Sequence, residues 1–184
     1  MSVRHIVLTS LFVALLTIGS MIYLPLGPIP HTLQVFFVIL AGILLGKKWG
    51  TISVAVWLLL GLVGIPVFSQ GKAGIMVLFG PTGGFLIGFL IAVFSIGLYL
   101  EKKKNHLIAI LVASFIGILW IYIAGGVGFY FHSVWVVQNP LSWYEIFKIT
   151  VLPFVFIDLC KGVLAAVVGV KIRMILAQTG TVPL

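Results

Sequence analysis

The feature that most constrains this chain is a recurrence of apolar runs about as long as a bilayer is thick, each closed by a short charged or broken stretch. A transmembrane helix needs roughly 20 apolar residues, with about 17 as a lower limit. Runs near that length fall at about 6–25, 49–65, 84–100, 106–128 and 152–172, and a shorter one at about 31–46. Hydrocarbon offers backbone N–H and C=O groups no water, so each run is expected to be helical. The chain therefore reads as an all-α integral membrane protein with six transmembrane helices, in one domain over residues 1–184. The 31–46 run would extend only about 24 Å, short for a crossing. "LPLGPIPH" closes the first run, because its prolines forbid a continued helix. That first run exceeds a signal-peptide core and lacks a small-x-small cleavage site, so it is expected as the first membrane helix.

The composition leaves little room for a soluble alternative: 62% of residues are hydrophobic and 8% charged. With six crossings, Arg4, Lys47, Lys48, Lys102, Lys103, Lys104, Lys171 and Arg173 gather on one side, and Lys72 and Lys148 face the other. Basic loops stay cytoplasmic, so both termini are expected there. The net charge of +8 is thus spread over loops rather than along a basic arm, which argues against nucleic acid. Trp135, Trp143 and Tyr144 are expected as interfacial anchors.

Several chemistries find no support. "GILLGKK" (42–48) lacks the spacing and the Ser or Thr of a nucleotide-binding loop, so ATP would have to be hydrolysed by a partner. It reads instead as a small-xxx-small helix face, Gly42 and Gly46. The single cysteine, Cys160, excludes an internal disulfide. His5, His31, His106 and His132 form no metal-ligating pair, and no nucleophile–base spacing is present. No catalytic residue, metal or cofactor is expected.

The chain has three acidic side chains, and Asp158 lies in the apolar "FVFIDLCKGV" (154–163) with Lys161 three residues on. With Pro153 in the first turn of the last helix, Asp158 would sit about 8 Å inside its outer end. The two side chains share a helix face. An ionisable group in a span costs at least ~2.5–3.5 kcal/mol on insertion scales and so faces the bundle interior. Two readings stand: a self-satisfied ion pair that fixes packing, or a polar floor for a ligand. Gln34, on the short helix, is either an interhelical hydrogen bond or a ligand contact. Residues 66–83, "PVFSQGKAGIMVLFGPTG", are too apolar for a solvated loop and too broken for a helix. Irregular backbone at membrane depth lines cavities. In "GPTGGFLIGF" (80–89), Gly84 and Gly88 form a GxxxG packing pair, while Gly80, Gly83 and Gly84 have backbone groups to offer a ligand.

Together "GPIPHTLQVFFVILAGILLG" (27–46), "GLVGIPVF" (61–68), "GPTGGFLIGF" (80–89) and "DLCKG" (158–162) resemble the BioY family, the biotin-specific substrate-binding subunits of energy-coupling factor transporters. Phe85 stands where Tyr is common, Ile157 where Gly is usual, and Ser10 and Ala14 where many such subunits carry an Ala-xxx-Ala face. The resemblance implies a six-helix subunit of a prokaryotic plasma membrane that takes biotin from outside. It also implies assembly with a transmembrane coupling protein and two ATP-binding-cassette ATPases, whose hydrolysis reorients the subunit. Asp158, Lys161, Gln34, Gly83, Gly84 and Phe85 would then bind biotin, and Val67, Phe68, Val77 and Phe79 would cover it. Ser10 and Ala14 would form the docking face. The alternatives are a like-built subunit for another vitamin, a membrane protein whose Asp158–Lys161 pair is structural, and a stand-alone secondary transporter.

Overall fold

The computed structural model describes residues 3–25, 27–103 and 106–178. Lys104, counted among the basic loop residues, lies outside them. In chain order the elements are α1 (Val3–Met21), β1 (Tyr23–Leu24), β2 (His31–Thr32), α2 (Gln34–Leu62), α3 (Gly83–Glu101), α4 (Leu107–Phe131), α5 (Trp143–Thr150) and α6 (Val155–Gln178). Short 3-10 turns at Ser69–Gly71 and Ile75–Phe79 interrupt the link from α2 to α3, and α4 ends in a π turn, His132–Val136.

The apolar runs at 31–46 and 49–65 are joined in α2, and Gly46 breaks it with φ 69 and ψ −172. In a straight helix residues 41 and 50 would be ~13 Å apart. Here a Cβ on Gly50 would lie 3.0 Å from the Ala41 carbonyl oxygen, so the chain doubles back at Gly46. Only glycine accepts that backbone geometry readily. Gly97 of α3 lies against this reversal, where a Cβ would collide with the Lys47 backbone.

Among the described residues four helices, α1, α2, α3 and α4 with its π turn, are long and apolar enough to cross a membrane. The pair α5 and α6, bent by 50°, makes a fifth. α3 packs between α2 and α4 and is the most buried of the long helices. Its Gly84 and Gly88 make the expected close approach: a Cβ on Gly84 would collide with the Ala124 carbonyl, and one on Gly88 would lie 3.0 Å from Ile121 Cα. The outer surface is apolar, with Ile108, Phe115, Phe156, Val163 and Leu164 exposed. That is the distribution a bilayer rewards and water does not.

Two expectations change. The stretch between α4 and α6 is not only loop: α5 starts on a capping box, with the Ser142 hydroxyl accepting from the Glu145 backbone and the Glu145 carboxylate accepting from the Ser142 backbone. And α6 begins at Val155, after a turn over 151–154. Pro153 lies in that turn, and Asp158 is in the first helical turn rather than deeper.

Candidate functional site

The last helix brings the two charges of its apolar run together. Lys161 Nζ is 2.7 Å from Asp158 Oδ1, and both residues are buried, at 9% and 4% exposure. The ammonium also donates to the Thr32 backbone carbonyl at 2.7 Å, tying α6 to β2. The Tyr122 hydroxyl, on α4, donates to Asp158 Oδ2 at 2.9 Å. A buried carboxylate is tolerable only when so compensated. Each group keeps capacity in reserve: the ammonium has a third N–H, and each carboxylate oxygen a second lone pair.

Asp158 and Lys161 line a cavity with Thr32 and Gln34, the α3 residues Phe85, Leu86 and Phe89, Ile121 of α4 and Phe154 ahead of α6. Its roof comes from the 66–83 segment, as Phe68, Ser69, Lys72, Val77 and Thr82. The Thr32 hydroxyl donates to Gln34 Oε1 at 3.0 Å, which fixes the amide. Gln34 Nε2 and Ser69 Oγ are buried without hydrogen-bond partners among the described residues. Buried donors are rarely left so, and these two line the same cavity, Gln34 in its wall and Ser69 in its roof. His31, ahead of α2, stacks on Phe154 with ring centroids 3.9 Å apart.

The roof is held at both ends. Phe68 sits in a notch at Gly61, edge-on to Trp57 at 5.1 Å, because a Cβ on Gly61 would occupy the ring's place. The Ser20 hydroxyl of α1 donates to the Val67 carbonyl at 2.7 Å, and the Gly74 N–H to the Gly61 carbonyl at 2.7 Å. At the far end His132 Nδ1 is 2.8 Å from the Phe79 carbonyl oxygen.

A model of the BioY family matches residues 1–178. The chain belongs to the BioY family. It is 43% identical over 173 residues to the biotin transporter BioY of Thermotoga maritima, covering 92% of this chain and 96% of that one. It is 39% identical over 175 residues to a probable biotin transporter BioY of Pyrococcus horikoshii, covering 94% and 98%. Its fold is similar to the crystal structure of the S-component for biotin from an ECF-type ABC transporter, with a TM-score of 0.84, 28% identity, and 94% and 92% of the two chains covered.

The residues that the sequence proposed for this BioY site do not all meet. Asp158, Lys161, Gln34 and Phe85 line the cavity, as do Phe68 and Val77 of the cover. Gly83 and Gly84 are buried outside the lining: a Cβ on Gly83 would collide with the Leu78 carbonyl, so both glycines serve close packing. Val67 is buried beside α1, reaching it through its carbonyl, and Phe79 is 59% exposed. Ser10 and Ala14 share an exposed face of α1. Sequence reasoning missed Thr32, Tyr122, Phe154, Ser69 and Lys72. Lys72 alone has a visible signal: it is a cation inside the apolar 66–83 segment.

Proposed function

We propose that this BioY chain is the biotin-binding subunit of an energy-coupling factor transporter, capturing biotin on the outer side and releasing it inward. The observation that carries the reading is the cavity's polar set: a compensated carboxylate and ammonium at the floor, with two unpartnered donors, one in the wall and one in the roof. Biotin has a ureido ring with two N–H donors and one C=O, an apolar thiophane and a carboxylate tail. The free lone pairs of Asp158 accept ureido N–H groups. Gln34 Nε2 and the remaining Lys161 N–H donate to the ureido oxygen. Phe85, Phe89, Phe154, Phe68 and Val77 pack the thiophane. Lys72 and Ser69, in the roof, take the tail carboxylate.

The finer topology belongs to the same reading. The two arms of α2 count as separate crossings, which with α1, α3, α4 and α6 makes six, with both termini cytoplasmic in a prokaryotic plasma membrane. A transmembrane coupling protein and two ATP-binding-cassette ATPases dock on the inner side, with Ser10 and Ala14 of α1 in the contact. The chain itself hydrolyses nothing.

The test is to purify the protein after growth in biotin and assay bound biotin by mass spectrometry, then titrate the stripped protein calorimetrically. Biotin in the wild type and clearly weaker binding by Asp158→Asn are expected. Wild-type affinity in that variant would return the Asp158–Lys161 pair to a packing role. A different bound vitamin would reassign the ligand.

A further inference from the structure

Tyr122 contacts the floor of the site from the wrong side to be a ligand residue. It follows Ile121, which lines the cavity, but its own ring lines a separate groove between α4 and α5, with Gly126, Ile146, Phe147 and Thr150. Only its hydroxyl returns to the site, as the 2.9 Å hydrogen bond to Asp158 Oδ2. The other carboxylate oxygen is held by Lys161 at 2.7 Å. The two donors come from different helices, α4 and α6, and grip opposite oxygens. Rotating the carboxylate breaks one of the two bonds. Without the hydroxyl, Oδ2 would be a buried anionic oxygen with one donor fewer, free to turn toward the ammonium and away from the cavity.

We infer that Tyr122 is the positioning residue of Asp158: it sets the angle at which the carboxylate meets the ligand's N–H groups, and never touches the ligand. The inference rests on the biotin reading and deepens it. Hydrogen bonds to charged groups are about twice as strong as neutral ones, and a buried one has no water to replace it. The groove on the far side explains how a tyrosine can be used here. Gly126, whose Cβ position lies 3.8 Å from Ile146 Cγ2, leaves space beside the ring. The ring thus rests in an apolar slot while its hydroxyl spans to the next helix. Thr150, the other hydroxyl of that groove, is occupied with the Ile146 carbonyl at 2.8 Å. Tyr122 therefore has no rival partner in the groove among the described residues.

The experiment is a double-mutant cycle on the purified full chain in detergent, with Tyr122→Phe, Asp158→Asn and both together. The ligands are biotin, its methyl ester, and a biotin alkylated on a ureido nitrogen. Tyr122→Phe keeps the ring and opens no cavity. It is expected to weaken biotin roughly ten-fold or more, since a charged hydrogen bond is lost and tenfold corresponds to about 1.4 kcal/mol. In the Asp158→Asn background the same change is expected to have no further effect. The preference for biotin over the N-alkylated analogue should shrink, while the preference over the methyl ester should stay as in the wild type. A Tyr122 that merely packs α4 against α5 would lower affinity equally in both backgrounds and for all three ligands. That result, or wild-type affinity in Tyr122→Phe beside weak binding in Asp158→Asn, overturns the inference alone. Wild-type affinity in Asp158→Asn overturns the ligand role of Asp158, and the inference with it.

Discussion

At the scale of residues, the site is a set of balanced polar groups, and the balance predicts which changes hurt. Lys161→Met leaves Asp158 buried with only the Tyr122 hydroxyl, and breaking a buried pair from one side costs about 3–5 kcal/mol. Asp158→Asn keeps an oxygen for Lys161 to donate to. The apparent melting point of the ligand-free protein should therefore fall further in Lys161→Met than in Asp158→Asn. His31 adds a pH dependence. Burial first, and the Lys161 charge second, hold its imidazole below the ordinary value of 6.5, with Asp158 opposing. The unfolded chain therefore takes up the proton before the folded one does. Stability from this group is present above about 6.5 and lost as pH falls below it. Acidification from pH 7 to 5 should lower the wild-type melting point more than that of His31→Phe, which keeps the stack on Phe154. How much of this was legible follows from chemistry. Asp158 and Lys161 announced themselves as charges in an apolar run. The Thr32 carbonyl could not, because every residue has one. Tyr122 is 36 residues from Asp158 in sequence, and its spacing from Tyr130 in the long apolar α4 carries no pattern that points to a carboxylate.

At the scale of elements, hydropathy located the long helices but missed what joins them. The reversal at Gly46 sits between apolar runs that were recognised, while its backbone geometry shows only in the structure. Gly46→Ala should cost about 1–3 kcal/mol of stability, the usual penalty for forcing a side chain into such a conformation; a melting point equal to wild type would remove that account. α5 is not marked by hydropathy although Ser142 and Glu145 have capping-box spacing, because the aromatic content of the stretch points to an interface first. In sequence Gly83 and Gly84 offer only backbone groups, yet the neighbours that decide their use lie on the roof and on α4. The roof makes its own prediction. Gly61→Ala would push Phe68 out of its notch and off Trp57, so bound biotin should dissociate faster, measured by chase with unlabelled ligand. An unchanged rate would mean that Phe68 does not hold the roof.

At the scale of the whole molecule, the chain presents apolar helices to lipid and sets the buried Asp158–Lys161 pair on one cavity, with Arg173 buried apart from it further along α6. Capture and delivery are then separable. A bulky side chain at Ser10, on the exposed face of α1, should leave biotin binding by the isolated subunit intact and abolish ATP-dependent uptake in the assembled transporter. Loss of both together would place Ser10 in the fold rather than the contact. The hydrogen bond from Lys161 to Thr32 reaches across 129 residues of sequence. During synthesis, the segment carrying Thr32 and Gln34 enters the membrane well before α6 leaves the ribosome. Through that interval the Thr32 carbonyl lacks its ammonium partner, and the cavity lacks its charged floor. The final helix acts as the keystone of the vault: a nascent or truncated chain that stops short of it has most of its hydrophobic mass and no receptor.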